Sequence, residues 1–555
     1  MAGLSRLMQA ISLPDTTQPF DRLIKFNLAG QFIVIFGGMI ISFLVAGFWY
    51  PYWRVADMDF VIVYNALLLN DYLPQEYFDH PGYLPILLLS YWLRALRGIG
   101  LIRVDSFFGV PPVSNFSAFS AVWMPLTQAG RVLSLLIALG LVAGFTFLLR
   151  ALVRDSRIAG LGGFLFAFSG GMAMQMRTMR TELLAAGLFT IALLMLLIVA
   201  KRGQWAWRPA VIGLASALMA LGMQSKVQVF FMICALPVLL LPFGPEAVPP
   251  SAPQRGFWQT PQRAWPALAA SVAIALLSVY LAKGIVILGL TAANAGVPLL
   301  PLGIGAAAYW TVLAVWLVLG MIAYWIVWRV PAAEAIAAMA AVVAGCMIGL
   351  LALDVRFAPN NAIVVLHPLE TMYAWAAAGD PRLSTGSSLF SAPRVQFLLQ
   401  AIGGVIARRT FVLQSSSRPT IFLEWFVIAA TVIAIRRREW RLVVKVVALM
   451  LTDWGVDLLG MGRHLEQAYF LFTDPLAIVA AALLIARLTD LQRHRWTYSL
   501  GVTLIAATIV VSQAEPVKHI FKSAGPEILC NPEYAAHYRR LEAFPFCAAP
   551  AVQPK

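Results

Sequence analysis

Hydrophobic and polar positions along this chain fall into long blocks rather than a short alternation. Stretches without a charged residue recur from Asn27 to Tyr52, Val132 to Leu149, Ile158 to Met176, Leu183 to Ala200, and onward to Trp496 to Ser512. Each can cross about 30 Å of hydrocarbon as a helix. An apolar run in lipid must satisfy its own backbone hydrogen bonds, so each predicts an α-helix. About thirteen spans follow, at roughly 27–50, 131–150, 158–176, 182–200, 209–225, 227–243, 265–288, 304–328, 333–353, 419–435, 442–460, 469–486 and 497–513. The expected fold class is an all-α polytopic membrane protein.

The polar remainder orders these spans. Arg150, Arg154 and Arg157 follow the second, Lys201, Arg202 and Arg208 the fourth, Arg436, Arg437, Arg438 and Arg441 the tenth, and Arg487, Arg493 and Arg495 the twelfth. Basic residues in short connections mark the cytoplasmic side. The odd span count then puts residues 1–26 inside and the tail, 514–555, outside. The Pro-rich stretch 243–263, with Arg255 and Arg263, falls inside as well. No cleavable leader is evident in 1–26, where Asp15 and Asp21 mix with Lys and Arg; the first span is expected to act as the insertion signal.

Composition agrees with lipid as the solvent: 60% of residues are hydrophobic and 12% charged. A net charge of +15 would suggest a nucleic-acid partner in a soluble protein. Here the charge is spent on topology, and no nucleic acid is expected. Cys234 and Cys346 lie in apolar runs, as buried thiols do. Cys530 and Cys547 flank a polar stretch on the expected oxidising side, which predicts a disulfide.

Two long outer segments, 51–130 and 354–418, remain for chemistry within the 27–513 membrane domain. The first holds two helix-like stretches, Val61 to Leu69 and Gly82 to Ile102, read as helices in the interface plane. The second contains a run, Val395 to Ala407, too short to span. Directly after the first span comes Trp53-Arg54-Val55-Ala56-Asp57-Met58-Asp59-Phe60, and later Asp79-His80-Pro81-Gly82-Tyr83. Further on stand Ala167-Phe168-Ser169, Met176-Arg177-Thr178-Met179-Arg180-Thr181-Glu182, Gly213-Leu214-Ala215 through Gln224-Ser225-Lys226, and Gly462-Arg463-His464.

In this order the motifs resemble the GT-C superfamily of membrane glycosyltransferases, in particular the protein O-mannosyltransferase and lipid A aminoarabinose transferase group. The resemblance covers the N-terminal half well and the C-terminal half thinly. In that family an acid of the first outer loop is the catalytic base, and a His-Pro element follows at similar spacing. A basic and acidic pair opens the fourth span, a small-residue fifth span ends in Thr-Lys, and an Arg-Tyr precedes a late span. Gly82 departs from the pattern, since relatives often carry a second Pro there.

The resemblance implies a GT-C-like fold and transfer of sugar, with inversion, from a polyprenyl-phosphate donor. The acceptor would be a glycolipid, polysaccharide or protein, at the outer face of a bacterial-type inner membrane. Asp59 is the first expectation for the base and Asp57 the second. Lys226, Arg463, Arg177 and Arg180, cations at the outer ends of spans, would neutralise the donor phosphate. Glu182, His80 and His464 would support them. A divalent ion on Asp57 and Asp59 is compatible with the sequence and not required by it. Glu424, Asp453, Asp457 and Asp474, in or beside apolar runs, are site candidates of lower rank. The rival from another class is a transporter or lipid flippase, which calls for mid-membrane charges and two related halves; neither is evident.

Overall fold

The computed structural model describes residues 28–73, 76, 82–202, 206–226, 228–233, 235–243, 257–294, 306–351, 392–410, 420–460, 469–488, 503, 507 and 525–547. Among these, the regular structure is helical throughout. Among the described residues five helices are long and apolar enough to cross a membrane: Gly30–Phe48, Phe116–Val153, Glu182–Lys201, Ala332–Gly349 and Phe470–Arg487. This is the character of a helical membrane protein.

The chain opens with α1 (Leu28–Phe43), which loosens into a π-turn at Leu44–Phe48. Beyond it, a tight 3₁₀ turn (Tyr52–Val55) and a wider π-turn (Ala56–Phe60) lead into α2 (Val61–Asn70). Next is α3 (Tyr83–Gly98). Gly82 caps it with φ 52°, a left-handed conformation. Proline, whose ring fixes φ near −65°, cannot adopt it. The chain therefore enters α3 along a path closed to the proline of the resemblance.

Helix α4 (Phe116–Val153) begins earlier than the apolar run suggested, because Asn115 caps it by accepting from the Ala118 N–H at 3.2 Å. The expected span 158–176 is two helices, α5 (Ser156–Ala167) and α6 (Gly170–Gln175). Between them Ser169 donates to Phe166 O at 3.0 Å and accepts from Met172 N–H at 3.4 Å, turning the chain. Helix α7 (Glu182–Lys201) and α8 (Arg208–Ser225) follow. The expected span 227–243 is likewise divided, into α9 (Gln228–Ile233) and α10 (Leu236–Leu239). Then come α11 (Pro261–Asn294), α12 (Ala306–Trp328), α13 (Ala332–Leu351) and α14 (Ala392–Thr410). The last large helices are α15 (Thr420–Arg436), α16 (Trp440–Gly460) and α17 (Phe470–Arg487). The expected final span, 497–513, lies outside the described residues apart from single positions.

Polar contacts gather the basic connections at one end of the bundle. Phe243 N–H donates to Ala200 O at 3.2 Å, Arg208 pairs with Glu334 at 2.9 Å, and Arg487 pairs with Glu439 at 3.1 Å. Lys201 reaches Leu152 O, and Lys445 donates to Leu239 O at 2.6 Å. These contacts join the turns after α4, α7, α10, α12 and α15. Within the bundle α8 and α13 touch backbone to backbone. A Cβ on Gly345 would sit 2.0 Å from Gly213 O, and one on Gly349 2.6 Å from Ala217 O. Small residues allow such an approach, which suits association in lipid, where dispersion replaces the hydrophobic effect.

A second core lies at the opposite end. Tyr52, Phe60, Phe119 and Trp123 pack there with Leu529, Tyr538 and Phe544 of the tail. Phe60 stacks on Trp123 with centroids 4.4 Å apart and meets Tyr538 edge-on at 5.0 Å. Cys530 and Cys547 form a disulfide that closes this part of the tail. Glu76 accepts from the Arg539 N–H at 2.9 Å and pairs with the Arg540 guanidinium at 2.7 Å. The tail is thus fastened to the same segment that carries Asp57 and Asp59.

Candidate functional site

Asp59 ends a turn with no slack. The π-turn Ala56–Phe60 runs straight into α2, and Phe60 anchors its far side in the aromatic core. The Asp59 carboxylate meets the same helix, α4, about two turns beyond the Phe60 contacts. There Arg131 meets it twice, Nε at 2.8 Å and Nη2 at 2.6 Å from the same oxygen. The other oxygen accepts the Met179 N–H at 2.6 Å. Both side chains of the pair are 0% exposed. Burial pushes the Asp59 carboxyl above the ordinary aspartate range, against the pull of Arg131 and the Met179 N–H.

Arg131 also gathers the end of the first helix. Its Nη1 donates to Gly47 O at 3.0 Å and to Tyr50 O, so the exit of α1 and the Asp59 turn converge on one guanidinium. Gly130 makes room for this convergence: a Cβ there would lie 2.1 Å from Met179 Sδ. Asp57 takes a different position. It is half-buried, two residues before Asp59, and close enough for its charge to act on Asp59.

The segment from Arg177 to Glu182 links this pair to a second charged group. Arg177 lies against the exit of α1, where a Cβ on Gly47 would come within 3.0 Å of its Cβ, and it donates to Ser42 Oγ. Glu182 opens α7 and is fully buried. Its two oxygens face Lys226 at 2.8 Å and Arg180 at 3.5 Å. Lys226 reaches it because Gly222, one turn earlier on α8, lies against Ala185 of α7. A Cβ on Gly222 would be 3.1 Å from Ala185 O. The Lys226 ammonium also sits 5.9 Å from the centre of the Tyr469 ring, just before α17.

Five of the sequence candidates, Asp59, Arg177, Arg180, Glu182 and Lys226, thus converge at the end of the bundle opposite the basic connections, with Asp57 beside them. His80, Arg463 and His464 lie outside the described residues. The lower-ranked acids are buried as well. Asp474 accepts from Thr420 Oγ1 at 2.6 Å, Glu424 accepts from Trp454 Nε1 at 3.2 Å, and Asp453 and Asp457 lie one turn apart on α16. Among the described residues no group of three His, Cys, Asp or Glu side chains gathers at metal-ligand range.

Arg131 was missed in the sequence because it stands at the edge of an apolar run, where an arginine reads as a membrane-boundary residue. The signal available was its isolation: no acid of its own neighbourhood answers it. No protein-family model, curated protein or solved structure matches the chain.

Proposed function

We propose that the chain is a glycosyltransferase that moves a sugar from a polyprenyl-phosphate donor to an acceptor hydroxyl at one face of the membrane, within a GT-C-like bundle of about thirteen spans. The observation that carries this reading is the gathering of Asp57 and Asp59 with Arg177, Arg180 and Lys226 at one end of the bundle. A group of cations at one end of the bundle can hold a lipid phosphate through charge-assisted hydrogen bonds.

The geometry favours a change in the order of the two acids. Asp59 already accepts three hydrogen bonds and has no exposed surface. Asp57 is open enough to meet an acceptor. In this reading Asp57 takes the hydroxyl proton, and the oxygen attacks the anomeric carbon. The bond from that carbon to the phosphate oxygen breaks, and the cations receive the phosphate. Asp59 and Arg131 hold the turn that aims Asp57.

The test is release of polyprenyl phosphate from polyprenyl-phosphate sugars by the purified protein in lipid vesicles. Wild type is expected to release it, and Asp57→Asn to lose about 10²- to 10⁴-fold in rate. A transporter would move the sugar lipid without cleaving it. Loss in Asp59→Asn with normal turnover in Asp57→Asn would return the base to Asp59. Intact donor after exposure of wild type to a broad donor panel, with acceptor-rich membrane extract present, would sink the proposal.

A further inference from the structure

Beside the Glu182 ion pairs lie polar groups that the fold leaves without partners. Gln228, two residues after Lys226, is 1% exposed, and neither its amide nitrogen nor its amide oxygen makes a hydrogen bond. Thr181, immediately before Glu182, is also 1% exposed, and its hydroxyl has no partner.

A single orphaned hydroxyl is common, but a primary amide with both ends unanswered at full burial is not. Leucine would fill the same volume at no polar cost, so stability does not account for glutamine at this place. An amide offers two donors and an acceptor side by side, and a hydroxyl adds a group that can do either. That set matches a ligand with several neutral hydroxyls. It does not match a second phosphate, which would call for more cations.

We infer that Gln228 and Thr181 bind the hydroxyls of a sugar ring held next to the Lys226–Glu182 pair. This rests on the donor reading above and extends it: the cations hold the phosphate, and these neutral groups select the sugar. Hydrogen-bonding sites discriminate strongly because a sugar lacking the matching hydroxyl leaves a buried group unpaired.

The experiment uses the full chain in detergent micelles and follows thermal unfolding. The probes are citronellyl phosphate, citronellyl-phosphate-linked mannose, glucose, galactose and arabinose, and the free methyl glycosides. Wild type is expected to be stabilised more by at least one sugar-bearing lipid than by citronellyl phosphate alone. Gln228→Leu and Thr181→Val should unfold at or above the wild-type temperature without ligand, because each removes an unsatisfied buried polar group. Each should bind the preferred sugar lipid about tenfold more weakly, with binding of citronellyl phosphate unchanged.

Retention of the full sugar-dependent increment in both variants would overturn the inference. So would ligand-free unfolding several degrees below wild type in both, which would assign the groups to the fold. The absence of any shift with every sugar-bearing probe would overturn it too. A shift with sugar-bearing probes but none with citronellyl phosphate would keep the sugar pocket and sink the donor-phosphate reading instead.

Discussion

Arg131 and Asp59 form a pair whose value lies in what happens when one partner is removed. A guanidinium and a carboxylate at full burial gain little over a well-packed apolar pair, but an uncompensated charge left behind costs about 3–5 kcal/mol. Arg131→Met should therefore lower the unfolding temperature of the purified protein markedly. The double variant Arg131→Met with Asp59→Asn should recover part of the loss, since no charge is then stranded. A single variant that melts with wild type would show that the pair does not hold the turn. Lys226 makes a different prediction. Under the donor reading, Lys226→Ala should raise the apparent KM for donor by roughly 10- to 100-fold, in line with a lost charge-assisted hydrogen bond of about 1.5–3 kcal/mol. Unchanged donor saturation would put the phosphate elsewhere.

At the scale of elements, the contact between α8 and α13 depends on glycine. Gly345 faces Gly213 O so closely that any side chain must push the two helices apart. Gly345→Leu should cost several kcal/mol, as overpacking of a tight interface does, and be seen as lost folded yield and early aggregation on size exclusion. Gly403, with open space where a Cβ would go, is the control: Gly403→Ala should behave as wild type. The helices themselves were largely legible in the sequence, because apolar length is a direct consequence of bilayer thickness. α7 and α17 coincide with their expected spans to within a residue or two. The breaks at Ser169 and in 227–243 were not legible, since apolar composition continues through both and the turn at Ser169 is made by one hydroxyl. Of the site, the charged residues could be named from type and position, whereas Arg131 could not. Its partner lies 72 residues away, and only the fold brings them together.

For the molecule as a whole, the basic residues in the short connections predict a topology that can be checked without any assumption about chemistry. A reporter active only outside the cytoplasm should be active when fused after Ser512 and silent when fused after Arg438; the reverse would invert the topology. The docking of the tail adds a consequence in time. Phe60, Phe119 and Trp123 are synthesised early, and their covering partners Tyr538 and Phe544 only some four hundred residues later. At ribosomal rates of about 5–20 residues per second, the aromatic face waits on the order of tens of seconds for its lid. The segment bearing Asp57 and Asp59 is thus made long before it is covered, and a nascent chain halted before the tail would insert its helices around an uncovered aromatic face.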